Sequence, residues 1–205
     1  MMQAEALLIF IKNPLPGKVK TRLAAGLGAE KALEIYLNLL QITRETVLNL
    51  DCRRYLFYSD FIEKKDEWQA AKFRKMLQHE GDLGQRLSAA FEHSLPLHSK
   101  AIVIGSDCPD LNEQIIRTAF DRLDYCDIVI GPAEDGGYYL LGMKDFFPEL
   151  FEGIIWSTDK VLEQTLSKIK AANKTFELCP TLRDLDDASD WEVLKARFGQ
   201  HLSWA

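Results

Sequence analysis

At 205 residues the chain can bury a sizeable core without disulfide or metal staples, and one domain over 1–205 is the expectation. A 47% share of hydrophobic residues beside 27% charged residues excludes a disordered or fibrous chain. Acidic residues outnumber basic ones 31 to 25, and a net charge of −6 with no run of five basic residues excludes an extended nucleic-acid interface, while leaving room for a small anion in a local basic pocket.

The start, MMQAEALLIFIKNPLPGK, lacks a basic leading segment. Its apolar run Ala6–Ile11 is too short for a signal-peptide core or a membrane span and reads as a strand. The stretch 29–50 places Ala32, Ile35, Tyr36, Leu39, Ile42, Val47 and Leu50 near one helical stripe and predicts a long helix. Further strands are predicted at 54–58, 101–104, 127–130 and 138–143, with weaker ones near Met76 and Thr175. Further helices are predicted at 83–95, 112–123, 158–171 and 188–198, with Asn112 and Ser157 as N-caps. Strands alternating with helices are the pattern of βα units on a mostly parallel buried sheet. No linker, repeat or low-complexity segment interrupts it. Only the segments 12–22 and 131–142 break the alternation.

The four cysteines, Cys52, Cys108, Cys126 and Cys179, form no CxxC pair, so reduced thiols in a cytoplasmic protein are expected. His79, His93, His98 and His201 form no metal-binding spacing.

Ligands of α/β sheets gather at the carboxyl ends of strands. After the first strand, Lys12-Asn13-Pro14-Leu15-Pro16-Gly17-Lys18-Val19-Lys20-Thr21-Arg22 combines turn formers with cations. Such a loop suits phosphate, because backbone N–H groups approach at Gly while Lys and Arg offset charge. A solvated basic turn is the plain alternative. It is not a Walker A loop, since Val19 follows Gly17-Lys18. Gly26-Leu27-Gly28 is not a dinucleotide fingerprint either.

After the strand at 101–104, Gly105-Ser106-Asp107-Cys108-Pro109-Asp110-Leu111 puts carboxylates at a strand end. Mg²⁺ or Mn²⁺ binds through one or two carboxylates plus water and phosphate oxygens, and Asp107 is placed for that. Turn and cap roles for Asp107 and Asp110 are the alternative. In Gly131–Gly142, Glu134 and Asp135 precede Gly136-Gly137. A hairpin accounts for the glycines but does not need the two acids, which suit sugar hydroxyls, proton transfer or a metal. The acidic run Asp184-Leu185-Asp186-Asp187-Ala188-Ser189-Asp190 reads by itself as a helix start. No G-x-S-x-G elbow or cysteine nucleophile motif occurs.

Taken together, Lys12-x-Pro14-x-Pro16-Gly17-x-Val19-Lys20-Thr21-Arg22-Leu23, Gly105–Leu111 and Glu134-Asp135-Gly136-Gly137-Tyr138 resemble an uncharacterised bacterial and archaeal family of glycosyltransferase-A-like proteins. Gly81-Asp82-Leu83-Gly84-Gln85-Arg86-Leu87, Trp156-Ser157-Thr158 and Leu185-Asp186-Asp187 extend the match from the first strand to Trp191. The loop Lys20-Thr21-Arg22-Leu23 is also similar to that of phospholactate guanylyltransferase, and Ser106-Asp107-x-Pro109 to the metal segment of molybdenum-cofactor nucleotidyltransferases.

The resemblance implies an α/β class, Rossmann-like nucleotide-diphospho-sugar transferase (GT-A) fold with a mostly parallel central sheet flanked by helices. It implies a transferase that takes a nucleotide or nucleotide-sugar donor and a small acceptor. Lys12, Gly17, Lys20, Thr21, Arg22, Gly84, Arg86 and Ser106 would bind the donor. Asp107, with Asp186, would hold Mg²⁺ or Mn²⁺, and Asp107, Glu134 and Asp135 would serve catalysis. Glycosyltransferases of this fold usually show Asp-x-Asp, whereas here the second acid is Asp110, three positions beyond Asp107, which slightly favours nucleotidyl over glycosyl transfer. A nucleotide-binding sensor or partner protein without turnover is the reading from another class.

Overall fold

Successive side chains of a strand point to opposite faces of its sheet, and the first strand, β1 (Glu5–Ile11), thereby divides the core in two. Leu7, Ile9 and Ile11 enter one apolar layer, and Ala6 and Leu8 the other. The structure, a computed structural model, describes residues 4–198; the first three residues and His201 lie outside them.

The chain continues through α1 (Thr21–Leu27), α2 (Ala29–Leu48), β2 (Arg53–Tyr58), β3 (Arg74–Leu77), α3 (Leu83–Ser94), β4 (Lys100–Ile104) and α4 (Glu113–Arg122). The hairpin strands β5 (Ile128–Pro132) and β6 (Tyr138–Met143) follow, then a 3₁₀ turn at Pro148–Leu150, α5 (Val161–Ala171), β7 (Phe176–Leu178) and α6 (Ala188–Phe198). The seven strands form one sheet in the order β3-β2-β1-β4-β6-β5-β7. Every neighbouring pair is parallel except β4/β6 and β5/β6. The sheet is therefore mostly parallel and flanked by helices, as the sequence predicts, with β6 as the reversed strand.

Helices cover both faces. In α2 the buried Ala32, Ile35, Tyr36, Leu39, Leu40, Thr43 and Val47 recur at intervals of one, three and four residues, the stripe a helix needs to lie on a sheet. Together with Leu23 of α1, Ile116 and Phe120 of α4 and Trp191 and Leu194 of α6, they pack on the Leu7/Ile9 face. Leu87, Ala90 and Phe91 of α3 and Ile169 of α5 cover the other face. Fully burying one such side chain contributes about 1.5–3 kcal/mol, so this packing rather than helix propensity holds the layers together.

Helix ends follow their capping chemistry. Asn112 caps α4, its side chain accepting from Ile115 N at 3.1 Å. Asp82 and Gln85 form a reciprocal capping box on α3. Two expectations are corrected. Ser157 is not an N-cap: its φ is 62°, and α5 starts only at Val161, after Lys160, without a side-chain cap. The short helix α1, whose first two residues belong to the segment read as a basic loop, has no capping side chain to announce it. Among the described residues no helix is long and apolar enough to cross a membrane.

Candidate active site

In the order β3-β2-β1-β4 the chain winds outward from β1 to one side and then returns to its other side, so β1 and β4 flank a switch point where a crevice opens at the strands' carboxyl ends. Lys12 follows β1 there, and Gly105-Ser106-Asp107 follows β4. Two clefts meet at this point. One, of about 470 Å³, is lined by Phe10, Ile11, Gln78, Arg86, Leu87, Ser106, Cys108 and neighbours. The other, of about 560 Å³, is lined by Lys20, Thr21, Arg22, Asp135, Trp156, Thr158, Asp159 and Asp186 among others. Both include Lys12, Tyr36, Leu83, Asp107, Tyr138, Ser157 and Asp184, so Asp107 sits where they join.

Lys20 organises the junction. Its ammonium lies 2.6 Å from Asp107 Oδ1 and 3.0 Å from Asp186 Oδ1, and its side chain is 5% exposed against 42% and 41% for the two acids. Burial alone would lower its pKa; Asp107 and Asp186 outweigh that and hold the ammonium above its ordinary range. The backbone there is left-handed, with φ 47° and ψ 47°, and Lys20 O accepts from Ala24 N at 2.8 Å as α1 begins. A residue with a Cβ adopts this conformation only when its surroundings hold it, and the two ion pairs supply such a hold. Thr21 and Arg22 form the first turn of α1.

Asp184 belongs to the same group, although the sequence offers only an acidic run before a helix. Burial, followed by the negative charge of Asp107 and Asp135, pushes its pKa up to about 7. The run divides its tasks. Asp187 accepts from Ser189 N at 2.8 Å and Asp190 N at 3.0 Å, and Asp190 accepts from Asp186 N at 3.0 Å, so these two shape the start of α6. Asp184 and Asp186 line the cleft. Leu185 N donates to Asp107 O at 2.8 Å, which pins the segment to the loop after β4.

Tyr36 also reaches the site. Its hydroxyl accepts from Lys12 N at 2.8 Å, donates to Lys12 O at 3.0 Å and lies 3.4 Å from Ser106 Oγ. Sequence reasoning counts it only as part of a helical stripe, and nothing in that stripe marks its hydroxyl. Asn13 ties the loops after β1 and β2: its side chain donates to Phe61 O at 2.9 Å and accepts from Asp60 N at 3.0 Å.

The predicted residues are not all drawn to one place. Asp135 lines the polar cleft, and its Oδ1 accepts from Gly137 N at 2.8 Å, shaping the hairpin turn. Glu134 instead pairs with Arg183 at 2.5 Å and is not among the residues lining either cleft. Gly17, with φ 72°, occupies an exposed turn. Gly84 lies beneath Trp156, whose indole would be 2.4 Å from an added Cβ, so it serves the cleft by letting that wall approach. Arg86 lines the 470 Å³ cleft while donating to Gly81 O at 3.0 Å and Gln78 Oε1 at 3.1 Å.

The donor set suits a hard divalent cation. The Lys20 ammonium marks a point within 3.0 Å of oxygens from two carboxylates carried by different segments. Mg²⁺ and Mn²⁺ are held by one or two carboxylates, with water and phosphate completing the shell. Among the described residues no three His, Cys, Asp or Glu side chains converge as a metal site by themselves.

Comparison with known proteins agrees with this architecture. Over 99% of its length the chain is similar, at 30% identity and a TM-score of 0.87, to 90% of a Desulfovibrio desulfuricans protein provisionally named a nucleotide-diphospho-sugar transferase. It also resembles 4-diphosphocytidyl-2C-methyl-D-erythritol synthase from Anaerococcus prevotii, with 11% identity, a TM-score of 0.60 and 96% of each chain covered. A third likeness is to Rv0371c of Mycobacterium tuberculosis in complex with manganese, with 12% identity, a TM-score of 0.53, and 95% of this chain and 98% of that one covered. At 11–12% identity the last two show the fold alone. No curated protein matches the chain. Residues 42–158 match the family described as "Uncharacterized protein conserved in bacteria (DUF2064)", and the chain belongs to that family.

Proposed function

We propose that the protein is a metal-dependent transferase that binds a nucleotide-sugar donor across the two joined clefts and passes the sugar to a hydroxyl-bearing acceptor. The observation that carries this reading is the junction of Lys20, Asp107 and Asp186 at the switch point, with a cleft on either side. The nucleoside occupies the cleft of Phe10, Gln78 and Arg86, and its phosphates lie against Lys12, Lys20 and Arg22. Asp107 and Asp186 would hold Mg²⁺ or Mn²⁺, which would offset charge on the departing phosphate. The lysines and arginine add preorganised charge at the same place. The manganese bound to Rv0371c supports this choice of metal.

The polar cleft is also lined by Asp135, Asp159 and Asp184, carboxylates that accept from sugar hydroxyls, and by Ser157 and Thr158. Asp135 faces the transferred group or the acceptor. In a second reading an acceptor phosphate attacks the donor's α-phosphorus and pyrophosphate leaves; the cytidylyl-named structural neighbour and the missing Asp-x-Asp favour it.

A thermal-shift panel of nucleoside triphosphates and nucleotide sugars with Mn²⁺ tests the proposal, since a ligand at ~100 times its dissociation constant stabilises by about 2.7 kcal/mol. Stabilisation by nucleotide sugars, followed by release of nucleoside diphosphate, supports sugar transfer. Triphosphate binding with pyrophosphate release supports the second reading, and no shift with any nucleotide contradicts both.

A further inference from the structure

Lys20 occupies a point that the proposed reaction needs for another cation. Its ammonium contacts one oxygen of Asp107 and one of Asp186 at 2.6 and 3.0 Å. A divalent ion bound to the same two oxygens would have to sit at about 2.0–2.1 Å from each, within repulsive distance of the ammonium. We propose that in the ligand-free protein Lys20 is the resident counter-ion of Asp107 and Asp186, that it keeps divalent metal off them, and that phosphate opens the site by drawing the ammonium away. The inference rests on the proposed function, since it takes these two carboxylates as the metal ligands.

Three observations support the lock. Lys20 reaches the acids from the interior, with a side chain only 5% exposed, so solvent and salt screen the pairing far less than they would a surface lysine. Its backbone is left-handed at the entrance to α1, a conformation that a residue with a Cβ keeps where its surroundings hold it, as the two ion pairs do here. Lys20 also lines the polar cleft beside Thr21 and Arg22, where an entering phosphate supplies a second anion for the ammonium. Metal and phosphate then bind cooperatively, each raising the other's affinity by the same factor.

The test is titration of Mn²⁺ alone into the ligand-free protein, followed by the electron paramagnetic resonance signal of free manganese. Wild type is compared with Lys20→Met, Lys20→Arg and the double variant Lys20→Met/Asp107→Asn. Lys20→Met is expected to bind Mn²⁺ ~10- to ~100-fold more tightly than wild type, the size of a typical coupling between sites. Lys20→Arg keeps the positive charge and stays with wild type, and the double variant loses the gain. Asp107 and Asp186 are 42% and 41% exposed, so water can solvate them once the lysine is gone. Circular dichroism verifies folding, and Lys20→Gln repeats the test if the methionine variant fails it. Equal Mn²⁺ affinity in wild type and Lys20→Met overturns the lock while leaving the metal site standing. No Mn²⁺ binding by any ligand-free variant overturns it too; the metal site is then judged separately, by whether Mn²⁺ strengthens nucleotide binding to wild type.

Discussion

The interior ammonium of Lys20 balances two carboxylates in this cleft, which Asp135, Asp159 and Asp184 also line. Asp184, at a pKa of about 7, adds less than a full negative charge near neutrality, which eases the repulsion among Asp107, Asp135 and itself. If the cations of the loop after β1 serve phosphate, Arg22→Ala should weaken binding of a nucleoside diphosphate by roughly ten- to a hundredfold, the value of a charge-assisted hydrogen bond. Binding of the parent nucleoside should barely change. Parallel losses measured by calorimetry would make Arg22 structural. Glu134 calls for a different expectation from Asp135. Its partner Arg183 is 31% exposed and Glu134 itself 48%, so Glu134→Gln should cost under about 1 kcal/mol of stability in urea unfolding. Asp107, Lys20 and Arg22 were legible as candidates in the sequence because they follow buried strands, at whose carboxyl ends the ligands of α/β sheets gather. Tyr36 and Asp184 were not, because a tyrosine in a helical stripe and an aspartate before a helix look the same whether or not they face a ligand.

Among the elements, the β5–β6 hairpin is constrained at its turn. Gly136 has φ 88°, and an added Cβ would lie 2.3 Å from Asp159 O. Gly136→Ala should therefore destabilise the fold by at least the ~1–2 kcal/mol of a left-handed residue with a Cβ, with the clash in addition. It should also displace the Ser157–Asp159 wall of the cleft. Unchanged urea unfolding would refute this. At the other end of the hairpin strand, Asp127 joins β5 to β7. Its carboxylate accepts from the Thr175 hydroxyl at 2.7 Å and Thr175 N at 2.8 Å, and these bonds, the hydroxyl's first, hold its pKa below the ordinary 3.8. A carboxyl with a depressed folded pKa contributes stability that is present above its unfolded value and lost as pH falls through the folded one. Asp127→Asn should thus cost stability at pH 7, and the cost should shrink below about pH 4; a pH-independent difference in urea midpoints would contradict it. The long helix α2 and the buried strands were legible from periodicity. The seven-residue α1 was not: Lys20 enters it left-handed, and no Ser, Thr, Asp or Asn caps it.

At the scale of the molecule, the sheet order turns separate motifs into one site. Segments after β1 and β4, the β5–β6 turn and the approach to α6 lie far apart in sequence, yet they line the same crevice because β1 and β4 are neighbours and β6 runs between β4 and β5. Alternating strands and helices indicated the mostly parallel sheet. The reversal of β6 was visible only as Gly136-Gly137, a pair that fits a hairpin and a loop equally well. The central claim is that Asp107 links metal to nucleotide at this crevice. Calorimetric titration of the nucleotide selected by the thermal-shift panel, into wild type and Asp107→Asn, with and without Mn²⁺, tests it directly. Mn²⁺ should strengthen binding to wild type, and the asparagine variant should lose this enhancement while remaining folded, because a neutral amide is a poor ligand for a hard cation. Equal enhancement by Mn²⁺ in both proteins would contradict it.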